Sequence, residues 1–114
     1  AQTIDSVFLG VNDSALAKVQ GINGGFVRFT IPANVYRGQT EPVNTMATQS
    51  MLITNTGVTD DAAYFIPKTI VENLEEIKKV HGSVKHLTPE FMANPPAIEL
   101  HPGAKRYYME KDYL

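Results

Sequence analysis

Apolar positions along this chain fall into short runs whose period changes from one run to the next, and each period predicts an element. Residues 4–11, IDSVFLGV, are β-branched and apolar without polar alternation, the pattern of a strand covered on both faces, as in a parallel sheet. NDSALAKVQG follows, with Asp13 or Ser14 placed to cap a helix, Ala15, Leu16 and Val19 on one apolar side, and Gly21 to end it. GINGG is a permissive loop, its glycines able to take positive φ at little cost. FVRFTIP sets Phe26, Phe29 or Ile31 against Arg28 and Thr30, a strand that Pro32 stops because it has no N–H for a ladder. ANVYRGQTEPVN, with Gly38 and Pro42, is expected to be an extended connection. Residues 45–55, TMATQSMLITN, form a second strand candidate with its strongest core at Met51, Leu52 and Ile53.

The most regular run comes next. Thr59 stands as N-cap, Asp60 and Asp61 put negative charge in the first turn where the helix dipole favours it, and Gly82 stops the run after Lys78, Lys79 and His81. Ala63, Ile66, Ile70, Leu74 and Ile77 recur at spacings of three, four, four and three, one buried helical stripe. Pro67 interrupts the backbone bonding at a cost of ~3 kcal/mol, which predicts a kink near Ala63 or a helix regular only after Pro67. Thr88 before Pro89 predicts a capped short helix with proline in its favoured first position. PPAIELHPG is extended because each residue before a proline avoids the α region, and Pro102 opens a last helix carrying Ala104, Tyr107, Tyr108 and, beyond it, Tyr113. Strand, helix, two strands and three helices give an α/β fold, a compact layered sheet with helices.

Totals narrow the function without choosing one. The chain has 114 residues, enough for a single domain. Its apolar runs are a few residues long, far below the ~20 needed to cross a bilayer, so a soluble chain is expected. Ten basic against twelve acidic residues leave a net charge of -2, with no basic block of the kind a phosphate backbone requires, and nucleic acid is not an expected partner. Absent cysteines remove disulfides, thiolate metal sites and thiol catalysis but leave the compartment open. The Ala-Gln start fits a leader cut after a small residue and equally a chain trimmed at that point, so no signal peptide is expected within these 114 residues.

Catalytic chemistry finds no support in the residue pattern. His81 and His86 are separated by Gly82 and a helix end, so they do not share a helical face as zinc-binding pairs do, and His101 precedes a proline. Ser6, Ser14, Ser50 and Ser83 lack a glycine-flanked elbow. The acidic pairs Asp60-Asp61 and Glu75-Glu76 suit dipole partners and solvated helix surface, with nothing nearby to desolvate one and raise its pKa. GINGG lacks the lysine and hydroxyl residue of a phosphate loop. No cofactor and no metal are expected, and the chain is expected not to be an enzyme. Arg28 and Arg37 bracket FTIPANVY; a guanidinium can grip a carboxylate through two parallel hydrogen bonds, with a tyrosine closing over an aliphatic stem. The plainer alternative leaves both arginines on exposed strand edges.

Three segments in order, TIPANVYRGQTEPVNTMATQSMLIT, GVTDDAAYFIPKTIVENLEEI and LHPGAKRYYMEKDYL, resemble the C-terminal part of the TAXI-type solute receptors of TRAP transporters. Similarity begins at DSVFLGVNDSALAKV and resumes from Phe26 to Leu114. The resemblance implies part of a type II periplasmic-binding-protein fold: a periplasmic receptor that closes on a glutamate-like or other small organic acid and hands it to a TRAP membrane permease. It further implies a tail helix packed back on the first lobe, and hence covered tyrosines. Residues 1–25 then correspond to a second-lobe-like strand and helix, 26–44 to a hinge-like crossover, and 45–114 to first-lobe-like strand and helices. Such receptors are much longer, so a truncated or half-receptor module is expected.

Residues 30–36 are placed by this resemblance at the hinge or cleft edge. Physical chemistry adds the roles: Asn34 and Tyr36 as hydrogen-bonding ligand contacts and Arg28 or Arg37 as carboxylate anchor. The alternative is a non-enzymatic interaction or structural module that self-associates, because apolar area once covered by a missing lobe calls for a protein partner.

Overall fold

A computed structural model describes residues 7–114. The chain separates into two units, the first ending at Ser50 and the second beginning at Met51. Both helices and strands are present, and the fold is mixed α/β.

In the first unit, helix α1 (Asp13–Ile22) lies against β1 (Phe26–Ile31), which pairs antiparallel with β2 (Val43–Thr48). Its cap is Asn12, whose Oδ1 accepts the Ala15 N–H at 2.8 Å, one residue before the expected Asp13 or Ser14. Asp13 thereby falls in the first turn, where a carboxylate complements the orphan N–H groups. The helix runs past Gly21 and ends at Asn23, whose side chain accepts the Gly25 N–H at 2.9 Å. That local side-chain turn reverses the chain without positive φ at Gly24 or Gly25.

Strand pairing runs from Phe26 opposite Thr48 to Ile31 opposite Val43, and Thr30 Oγ1 donates to Asn44 Oδ1 across it at 2.8 Å. Of the strand expected over residues 4–11, residues 4–6 lie outside the described residues. Residues 7–11 are not in a strand, although the Val11 N–H donates to Asn44 O at 2.8 Å. The second strand also differs from expectation: β2 stops at Thr48, and Met51, Leu52 and Ile53 are exposed and irregular. A ladder extends only as far as its partner, and β1 begins at Phe26 directly after the Asn23 turn, so residues beyond Thr48 have no strand to pair with. Burial along β1 follows the expected sense at Phe26, Thr30 and Ile31 but not at Arg28, which is half-buried, or Phe29, which is exposed.

The second unit contains α2 (Asp60–Glu72), α3 (Leu74–Val80), a 3₁₀ turn (Gly82–Val84), α4 (Pro89–Ala93) and α5 (Pro102–Glu110). Thr59 caps α2 by accepting the Ala62 N–H, and Thr88 caps α4 by accepting that of Phe91, each through its hydroxyl. Helix α5 starts at Pro102 with His101 as cap: Nδ1 accepts the Gly103 N–H at 3.2 Å while Nε2 donates to Val58 O at 3.1 Å. One neutral tautomer serves both bonds. The core joins Ala93, Tyr107 and Tyr108, flanked by Tyr64, Val71, Met92, Leu100, Ala104 and Tyr113. The tail aromatics are therefore covered by α2 and α4.

Two expectations for α2 change. Its buried positions are Ala63 and Pro67, with Tyr64 and Val71 half-buried beside the core, whereas Ile66 is exposed and Ile70, Leu74 and Ile77 are only half-buried. Small Ala63 and compact Pro67 let α5 approach closely. The helix stays continuous through Pro67 and breaks at Asn73, whose Nδ2 and backbone N–H both return to Thr69 O while its own carbonyl accepts from Glu76 and Ile77. A short amide side chain competes for backbone acceptors in this way and ends one helix as the next begins.

Across the α2–α5 surface, Arg106 donates to Asp61 at 2.9 Å and lies over the Tyr64 ring, and the Tyr64 hydroxyl donates to Glu110 at 2.7 Å. That bond to the Glu110 carboxylate, ahead of burial, raises the Tyr64 pKa. Burial raises Tyr107 and pushes Tyr108 up to about 12. A phenol whose folded pKa lies above its unfolded value near ~10 contributes stability that is intact below that value and lost as pH rises through the folded value. The denaturation midpoint is expected to fall between pH ~10 and ~12, with Tyr108 accounting for about 2 kcal/mol; Tyr108→Phe should flatten most of that slope.

Candidate functional site

Between β1 and β2 the chain does not run extended, as the sequence suggested, but folds into a tight loop over residues 32–42. Asn34 and Gly38 both adopt left-handed backbone conformations, with φ of 65° and 79°. Glycine accepts this freely and asparagine is among the few other residues that tolerate it. The Asn34 N–H donates to Gln39 O at 2.8 Å, and the Gln39 N–H returns to Tyr36 O at 3.1 Å.

Gln39 is the centre of this loop. Its side chain is buried at 7% exposure; Nε2 donates to Pro32 O at 2.9 Å and Glu41 O at 2.8 Å, while Oε1 accepts the Tyr36 N–H at 3.3 Å. Both amide hydrogens and the amide oxygen are thus engaged, as burial of such a group requires.

The four residues singled out from sequence fall in different settings. Arg28 is half-buried, donating to Val11 O and forming an ion pair with the exposed Asp13 carboxylate. Asn34 is exposed at the loop's first left-handed position. Tyr36 is half-buried, its ring stacked on Phe8 with centroids 4.8 Å apart and planes at 29°. Arg37 is exposed and forms no ion pair among the described residues. Asn34, Tyr36 and Arg37 share one short loop, while Arg28 belongs to the α1–β1 contact. An open recess of about 450 Å³ lies in the same unit, lined by residues including Phe8, Val11, Asn12, Pro42 and Asn44. Phe8 and Gln39 were missed from sequence, Phe8 because its run had the pattern of strand core.

Elsewhere several charged side chains pair with one another. Glu75 pairs with Lys78 and Glu76 with Lys79 along α3, solvated contacts of small energetic weight. His81 accepts the Ser83 N–H at a helix end. Among the described residues no three histidine or acidic side chains gather as a metal set, and no helix is long and apolar enough to cross a membrane.

The loop is held by a buried amide, and the recess is lined next to it by Phe8 and Pro42 but not by Asn34, Tyr36 or Arg37. Residues 1–111 match the NMT1-like family, and the chain belongs to that family, one of periplasmic-binding-protein type whose members are generally non-enzymatic binding proteins. No curated protein matches the chain.

Proposed function

We propose that the chain is a solute-binding module of a TAXI-type TRAP receptor, taking a small organic acid such as a glutamate-like carboxylate and working with a membrane permease in the periplasm. Family membership supports binding of a small solute, and the observation that carries the reading to this loop is Arg37, an exposed guanidinium without an ion pair among the described residues, next to the Phe8-supported ring of Tyr36. Arg37 anchors the carboxylate through paired N–H donors, and Asn34 and the Tyr36 hydroxyl supply further hydrogen bonds. Arg28 holds the loop's supporting strand to α1 through Asp13 and is the weaker anchor.

Calorimetric titration with glutamate, 2-oxoglutarate and short dicarboxylates tests this. One of them should bind saturably, and Arg37→Ala should weaken it roughly 10- to 100-fold, the range for a lost charge-assisted hydrogen bond. Equal affinity in the variant contradicts the anchor.

A second reading, self-association without a small ligand, is favoured by Phe65 and Met109, which are 57% and 58% exposed. Light scattering separates the two: a monomer at high concentration speaks against it.

A further inference from the structure

We infer that Gln39 is the positioning residue of the proposed site, the group that holds Tyr36 and Arg37 in a ligand-ready arrangement without touching the solute itself. The inference rests on the reading of this loop as the solute site.

Beside the stacking of Tyr36 on Phe8, three features hold the loop among the described residues. Two left-handed residues, Asn34 and Gly38, turn the chain; two backbone bonds close it; and the Gln39 carboxamide ties both ends and the middle together through Pro32 O, Glu41 O and the Tyr36 N–H. Apart from the Tyr36–Phe8 stack, the loop has little apolar packing to replace that clamp, because Asn34, Val35, Arg37 and Gly38 are all exposed. Left-handed backbone at a non-glycine residue costs free energy and persists only where surrounding contacts enforce it. Removing the amide releases Tyr36 and the peptide leading into Arg37, so a ligand has to order both on binding and binds more weakly for that reason.

Chemistry at position 39 is demanding. The two carbonyl oxygens need two donors from one planar group, and the Tyr36 N–H needs an acceptor on the same group; glutamine supplies all three. Gln39→Glu keeps the shape and the acceptor but sets a carboxylate against two carbonyl oxygens. Protonating that carboxyl restores one donor, so the defect in Gln39→Glu should recede as pH falls, which loss of packing alone would not do.

The test combines affinity with loop order. In the wild-type chain without ligand, the Asn34 and Gln39 amides should be protected from hydrogen exchange and Phe8–Tyr36 ring contacts visible by NMR. Gln39→Glu should lose that protection near neutral pH, bind the carboxylate about tenfold more weakly, and partly recover both at acid pH, with α2 and α5 amides unchanged. Gly38→Ala, which has open space around its Cβ but is strained at φ 79°, perturbs the loop without touching the amide and should weaken binding in the same sense, now independent of pH. Wild-type affinity in Gln39→Glu despite lost protection would overturn the positioning role alone. Absence of any carboxylate binding by the wild-type chain would overturn the solute-site reading, and this inference with it.

Discussion

Gly103→Ala is expected to destabilise the second unit by about 3 kcal/mol or more, although it adds one methyl group and replaces a poor helix former by the best one. A Cβ at position 103 would stand 2.0 Å from Asp60 O and within 2.9 Å of two further backbone atoms of Asp60. No side-chain rotation relieves a clash with backbone, so the start of α5 must move away from the start of α2. The gain from helix propensity is at most ~1 kcal/mol and is far smaller than the cost of opening that contact. Displacement would also stretch the bond from His101 to Val58 O and the ion pair from Arg106 to Asp61. Urea denaturation followed by circular dichroism gives the answer; a midpoint at or above that of the wild-type chain would mean that the two helices do not meet this closely.

Tyr107→Ala should cost about 3–5 kcal/mol, the range for truncating a buried aromatic side chain. Tyr107 is 2% exposed and makes edge-on contacts with Tyr64 at 5.4 Å and with Tyr108 at 5.7 Å between ring centroids. Few other side chains could make up the loss, since among the described residues the buried cluster around it holds only Ala93 and Tyr108 besides. Tyr107→Phe keeps the ring and should stay within about 1 kcal/mol of wild type. Comparable losses in the two variants would move the energetic weight from ring packing to the hydroxyl.

Local signals carried much of the fold. Thr59, Thr88 and Pro102 mark helix starts because a cap needs only its own side chain and the next three residues. Asn12 was passed over for Asp13 or Ser14 because three adjacent residues can each cap, and only the path of the incoming chain decides among them. The length of β2 was not legible, since the partner strand sets it. Neither was the break at Asn73, where an amide returning to Thr69 O overrode a regular apolar stripe, nor the continuity of α2 through Pro67. Of the candidate site, Asn34, Tyr36 and Arg37 could be read from sequence as neighbours with hydrogen-bonding side chains, but not the tight loop that gathers them, because ANVYRGQTEPVN has the pattern of an extended connection. The role of Arg28 depended on Asp13, fifteen positions away, and that of Gln39 on carbonyls which only the folded loop brings together.

The most direct measurement is a map of backbone amide shifts while a small carboxylate is titrated into the wild-type chain. Binding at this loop predicts saturable shifts concentrated at Asn34, Tyr36, Arg37 and Gln39 and at Phe8 beneath the tyrosine, with the Tyr107 and Tyr108 region unmoved. Saturable shifts centred elsewhere, or flat spectra with glutamate, 2-oxoglutarate and short dicarboxylates at millimolar levels, would contradict it.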